Sequence, residues 1–229
     1  MQYQLIRSKR KTISISFDKD GCVVVKAPYW VSKNQINAFV LDKEEWITAT
    51  RTRLRIAKEK EQKERLQLQN GDELSFLDSR LTLTVIREDR KTGRVKQVQN
   101  RLLLWVPYDA DYEFKRSLIE KWYRKQASVL LPQKICNFAL RLGVHYEGIS
   151  IKDQKSRWGS CSSKGNLNFN FRILMAPEEV CDYVIWHELC HLVHMNHSEA
   201  FWKLVEEFCP KYKACKQWLK DNIKILYQI

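Results

Sequence analysis

The chain has 229 residues, 44% of them hydrophobic and 29% charged, enough for one large domain or two small ones and with no long stretch of disordered composition. Forty Lys and Arg stand against 27 Asp and Glu, a formal charge of +13, which favours anionic partners such as DNA, another polyanion or acidic proteins without requiring one. The apolar pair Leu5-Ile6 is too short for a signal-peptide core, and nothing approaches the roughly 18–20 apolar residues of a membrane span. A cytoplasmic chain is expected, and the seven irregularly spaced cysteines, with no C-x-x-C pair, speak against a disulfide framework.

In chain order, Thr12–Phe17 and part of Cys22–Ala27 alternate apolar and polar residues, and Asp18-Lys-Asp-Gly21 between them predicts a hairpin turn. Ser32 is a candidate N-cap for a helix carrying Ile36, Phe39, Val40, Trp46 and Ile47 at helical spacing. That helix runs into the charged stretch Lys58–Arg65, read as a solvated face, and Asn70-Gly71 closes it. A strand pair is predicted at Leu81–Arg87 and Val95–Val106, turning at Thr92-Gly93. Pro107 and Tyr108–Asp111 look like a joint, so the expected division is 1–110 and 111–229. Beyond it, Phe114, Leu118, Trp122, Leu130, Ile135 and Phe138 mark a long helical segment that Pro132 is expected to kink or divide.

A short strand at Ile149–Ile151 precedes a hairpin whose arms are Arg157-Trp-Gly-Ser-Cys161 and Asn166–Phe171, turning at Ser162–Gly165. Leu167, Phe169 and Phe171 would face the core, and an edge strand here could bind an extended peptide. The rest is helical. This order of elements predicts an α+β fold with helices segregated from an antiparallel sheet.

Four of the five histidines, His187, His191, His194 and His197, fall within eleven residues, and His187-Glu-Leu-Cys-His191 is an H-E-x-x-H segment. Pro177 suits the first helical position, Glu178 and Glu179 suit a helix N-terminus, and Val180, Val184, Ile185, Leu189 and Leu192 supply a buried side. At ~3.6 residues per turn His187 and His191 stack on one face, where two imidazoles can chelate one Zn²⁺. Glu188, rotated about 100° around the axis, flanks the metal and can take a proton from a metal-activated water.

A catalytic zinc usually has three protein ligands and an open position. His197 is the natural third, but on a continuous helix it would lie ~15 Å along the axis. The helix must therefore end and the chain bend back, for which Asn196 suits a left-handed residue and Ser198 an N-cap ahead of Phe201, Trp202, Val205 and Phe208. A closed structural zinc would leave Glu188 without a role. Glu199, Glu206 and Glu207 keep a glutamate third ligand open. Tyr183 and His194 share the ligand face and could stabilise an oxyanion, while Cys161, Cys190, Trp158 and Trp202 read as packing residues.

At these residues the chain resembles the YgjP-like metallopeptidases, relatives of the SprT-like zinc proteases. The carrying stretches are Arg157–Cys161, Asn166–Phe171, Val184–His191, Asn196–Ser198 and Phe201-Trp202, and the resemblance extends over most of the chain. The resemblance implies a zincin-like catalytic half, one zinc held by His187, His191 and His197, and Glu188 as catalytic base. Metzincins fit less well, because His194 takes their glycine position and no methionine follows Met195.

The expected function is therefore a zinc-dependent peptidase acting on protein or peptide. Its rivals are a metal hydrolase of non-peptide amides and a nucleic-acid-associated zinc protein. Basic charge and SprT-like kinship favour the latter, while the absence of a zinc-finger, RRM or KH signature speaks against it.

Overall fold

The computed structural model describes residues 2–18, 21–64 and 66–229, and within these the side chains of all but 57–64. The chain forms two compact units, Met1–Arg65 and Leu66–Ile229. The joint read at Pro107–Asp111 lies inside the second unit. The solvated face read over Lys58–Arg65 falls on side chains outside the described ones.

In the first unit, strands β1 (Gln4–Ser8), β2 (Ser14–Phe17) and β3 (Val23–Pro28) form a sheet in the order β1-β3-β2. β2 and β3 make the expected antiparallel hairpin, with Phe17 opposite Val23. Its turn carries Gly21 at φ +79°, and the Asp18 carboxylate accepts from the Cys22 N–H at 2.8 Å; Lys19 and Asp20 of that turn lie outside the described residues. β1 runs parallel to β3. Its adjacent apolar pair offers no alternation for a sequence reading to catch.

Helix α1 (Lys33–Asp42) starts at a capping box, in which the Ser32 hydroxyl accepts from the Gln35 N–H and the Gln35 side chain accepts from the Ser32 N–H. The continuous helix expected here is two: the chain breaks at Lys43 and resumes as α2 (Glu44–Glu64). Val23, Val25 and Ala27 of the sheet pack with Ile36, Val40 and Ile47 of the helices as this unit's core.

The second unit opens with β4 (Glu73–Phe76), β5 (Ser79–Arg87), β6 (Arg94–Val98) and β7 (Arg101–Val106), ordered β4-β5-β7-β6. The expected strand Val95–Val106 is thus a hairpin of its own, reversing at Gln99, whose φ is +53°. β5 consequently runs parallel to β7 instead of pairing with β6. No glycine or proline at Gln99-Asn100 marks that reversal in the sequence.

Helix α3 (Tyr112–Leu142) is capped by the Asp111 carboxylate, which accepts from the Phe114 N–H at 2.8 Å, and ends at Gly143 with φ +73°. Pro132 does not divide it. The lost backbone hydrogen bond is offset by a continuous buried stripe, from Ile119 and Tyr123 through Ala127, Leu131 and Ile135 to Ala139.

The third sheet orders β8 (Gly148–Lys152), β10 (Asn166–Asn170) and β9 (Gly159–Cys161) as β8-β10-β9. The expected β9–β10 hairpin is present, with Leu167 opposite Cys161, but β8 flanks β10 in parallel on its other side. β10 is therefore the central strand, and the peptide-binding edge expected there is already paired. All three sheets contain one parallel pair, so the α+β fold holds with mixed sheets in place of a purely antiparallel one.

A 3-10 turn (Phe171–Met175) leads into α4 (Glu178–Cys190), followed by α5 (Glu199–Phe208), α6 (Tyr212–Asp221) and α7 (Ile223–Leu226). Arg172 of the 3-10 turn is buried yet fully engaged. Its guanidinium donates to the Ile229 carbonyl at 2.8 Å, to Asp153 at 3.0 Å and to Glu120 of α3 at 3.1 Å. Among the described residues no helix is long and apolar enough to cross a membrane.

Candidate metal centre

Helix α4 is buried on nearly every side: Val180, Cys181, Val184, Ile185, Trp186, Leu189 and Cys190 are all in the core. A helix so enclosed has little freedom to shift its polar residues, which makes it a rigid mount for a site. Pro177 sits one place earlier than expected, at the N-cap, and Glu178 and Glu179 occupy the first turn. His187 lies in the last turn, and His191 is the C-cap residue.

The chain then reverses through overlapping turns, with Leu192 N–H to Leu189 O at 2.9 Å and His194 N–H to Cys190 O at 2.9 Å. Among the described residues the positive-φ residues other than glycine are Leu68, Leu77 and Gln99, so the reversal proceeds without the left-handed Asn196 expected there. Tight turns stacked on the helix end satisfy its last carbonyls and remove the need for it. Ser198 caps α5 as expected, accepting from the Phe201 N–H at 3.4 Å.

This path brings His187, His191 and His197 together, with one ring nitrogen from each lying within 4.8 Å of the others. The Nε2 atoms of His187 and His197 are 3.1 Å apart. Two ligands at about 2.05 Å from a tetrahedral ion stand about 3.3 Å apart, so the rings already have close to the spacing such an ion needs. His191 Nδ1 faces the His194 carbonyl at 3.1 Å. If Nδ1 donates there, Nε2 keeps the free lone pair a metal requires. The donor set fits a metal ion. Glu199, Glu206 and Glu207 are outside the group, and Glu199 pairs with Lys203 at 2.9 Å.

Burial, then the neighbouring histidines and Lys216, depresses His187 to about 3, and burial with His197 also lowers His191 against the opposing His194 carbonyl. Both rings are therefore neutral near pH 7, the form that binds metal. Beneath them lies Phe201, fully buried, its ring centre 5.0, 4.5 and 4.9 Å from those of His187, His191 and His197. Trp202 stacks on His197 at 5.5 Å. Helical spacing marked these two aromatics for packing; the floor they make under the cluster depends on the 191–198 reversal.

Glu188 is 5% exposed and is no member of the ligand group. Burial pushes its carboxyl up to about 8, opposed by the Arg157 charge and by a hydrogen bond from the Cys161 backbone N–H. Gly159 makes room for it: a β-carbon there would stand 2.6 Å from Glu188 Cγ and 2.7 Å from Oε1. In the sequence Gly159 reads only as part of a strand, because nothing local announces a close approach from another element. Gly159→Ala is expected to displace the carboxylate and so to slow by roughly 10²-fold any reaction that runs through it, with metal content at the wild-type level. Kinetics paired with elemental analysis checks this, and unchanged kinetics would show that the contact does not position Glu188.

Tyr183 is buried, its ring centre 5.9 Å from that of His187, and burial raises its phenol. His194 contributes its carbonyl to His191. Burial pushes the Cys161 and Cys190 thiols up to about 11 and about 12, which leaves them protonated and unsuited to nucleophilic work. Beside the cluster opens a cleft of about 330 Å³ that reaches Glu188, His187 and Tyr183.

A model of the YgjP-like metallopeptidase domain matches residues 11–222. No curated protein matches the chain. Two crystal structures of metallopeptidase zymogens are similar to part of it. Abylysin of Pyrococcus abyssi is 25% identical over 42% of this chain and 92% of that one, with a TM-score of 0.36. Jannalysin of Methanocaldococcus jannaschii is 20% identical over 40% of this chain and 95% of that one, with a TM-score of 0.37.

Proposed function

The chain belongs to the YgjP-like metallopeptidase family, and on that premise we propose that it is a zinc-dependent peptidase with His187, His191 and His197 as metal ligands and Glu188 as general base. The observation that carries this reading is the convergence of three ring nitrogens within 4.8 Å beside a buried carboxylate that is not itself a ligand. A closed structural site offers no comparable role for such a group. When bound, the zinc supplies a Lewis acid that acidifies water and polarises a carbonyl, and its charge favours the ionised form of Glu188.

The rest is the work of the chain's own side chains. Glu188 accepts a proton from the attacking water and returns it to the leaving amine. The Cys161 N–H and the absent side chain at Gly159 hold that carboxylate in place. Phe201 and Trp202 shield the imidazoles from water on their far side. Tyr183 keeps its proton on the cleft wall, where it is available as a donor to a substrate oxygen.

The proposal includes a cytoplasmic location, supported by seven free cysteines. Its test is hydrolysis of casein and of a mixed peptide library by the zinc-loaded chain. Cleavage that stops on chelation and returns with added zinc is expected. No cleavage of any peptide, or cleavage indifferent to chelation, would sink the reading.

A further inference from the structure

The cleft beside the cluster carries more positive charge than its one carboxylate, Glu188, balances. Arg157, from the segment before β9, and Lys216 and Lys220 of α6 all line it. Lys216 and Lys220 are four residues apart on one helix face, where like charges destabilise a helix. Lys211 pairs with Glu179 at 3.1 Å, Lys203 with Glu199 at 2.9 Å and Lys134 with Asp182 at 2.9 Å, while Lys213 of α6 lies over the Tyr212 ring. Among the described residues, Arg157, Lys216 and Lys220 form no ion pair within 4.0 Å, and Glu188 is the sole acid of the lining.

Lys216 is also held in position, its ammonium 4.6 Å from the centre of the Trp202 ring that stacks on His197. Between the cations the walls are apolar, formed by Trp158, Leu219 and Ile223. Apolar walls lower the local dielectric and strengthen whatever ion pair a ligand makes there. The volume, about 330 Å³, is at the small end for ligand clefts. It accommodates one or two residues of a peptide and not a nucleic-acid duplex.

We propose that this cleft is a substrate subsite for a carboxylate, so that the chain favours peptides presenting a Glu or Asp side chain, or a free C-terminus, next to the bond aligned with Glu188. The inference rests on the peptidase reading above and deepens it. The apolar walls hold the stem of the bound residue while Arg157, Lys216 and Lys220 neutralise its charge.

Binding tests it separately from turnover. Zinc-loaded Glu188→Gln protein is titrated, by fluorescence anisotropy, into labelled peptides that differ at one position. The set holds a Glu peptide with amidated C-terminus, its Gln and Lys counterparts, and a Gln peptide with a free C-terminus. The Glu peptide or the free-terminus peptide is expected to bind about tenfold tighter than the amidated Gln peptide, as two or three partly exposed charge pairs supply. Which of the two is favoured identifies the source of the carboxylate. In Lys216→Glu/Lys220→Glu the order should invert toward the Lys peptide, and in the milder Lys220→Gln the preference should shrink.

Equal affinity for all four peptides would overturn the proposal, as would a preference untouched in both variants. A single-stranded DNA that binds through these lysines while no peptide does would also overturn it. A wild type that cleaves peptides without charge preference refutes the subsite alone. Preferential binding without cleavage of any peptide refutes the peptidase reading and leaves the subsite standing.

Discussion

Glu188→Gln is expected to lower peptide hydrolysis by about 10³-fold, the middle of the range for loss of a positioned general base. Glutamine keeps the shape of the side chain and can still meet the Cys161 backbone, but it cannot accept the proton of the attacking water. Because Glu188 stands outside the histidine group, metal content should match wild type. The variant separates chemistry from assembly: kcat/KM on a cleaved peptide is compared with the zinc-to-protein ratio of the same preparation. Activity within about tenfold of wild type would remove Glu188 from the mechanism.

Arg172→Ala is expected to destabilise the second unit by about 3 kcal/mol, toward the lower end for breaking a buried ionic network because Glu120 and Asp153 keep some contact with water. The side chain is 3% exposed. Its guanidinium joins the turn before α4 to Glu120 of α3, to Asp153 after β8 and to the carbonyls of Leu226 and Ile229. It also lies over the rings of Phe171 and Tyr227, each 4.9 Å away. Removing it strands buried acceptors as well as carboxylates, and a melting temperature lower by roughly 6–12 °C should follow. Arg172→Lys restores a charge without the planar fork and should recover only part of that. A melting temperature for Arg172→Ala within about 2 °C of wild type would mean the network adds little.

The histidine cluster was legible because its information is local. His187, Glu188 and His191 are fixed relative to one another by helical geometry alone, and His197 is placed by the requirement that the helix end between 191 and 197. Ser32 and Ser198 were legible as caps for the same reason, since a cap bonds only to the turn that follows it.

What escaped the sequence depends on contacts between distant segments. Gly159 has meaning only once β9 lies against α4, and Arg172 reads as a surface cation until Glu120, Asp153 and Ile229 are seen around it. The order β4-β5-β7-β6 turns on a reversal at Gln99-Asn100, which no glycine or proline marks in the sequence. The edge role assigned to Asn166–Phe171 failed because strand periodicity reports which face is buried and says nothing of how many neighbours a strand has. Asn196 shows a further limit: the need for a reversal was correct, and the backbone met it by stacked turns.

The most direct measurement of the central claim is the metal content of purified protein, by elemental analysis, for wild type beside His191→Ala. Near one zinc per chain in wild type and a large loss in His191→Ala, with the helical spectrum preserved, is the result the three-histidine centre predicts. Wild type free of metal when purified without chelators, or His191→Ala retaining its zinc in full, would contradict it.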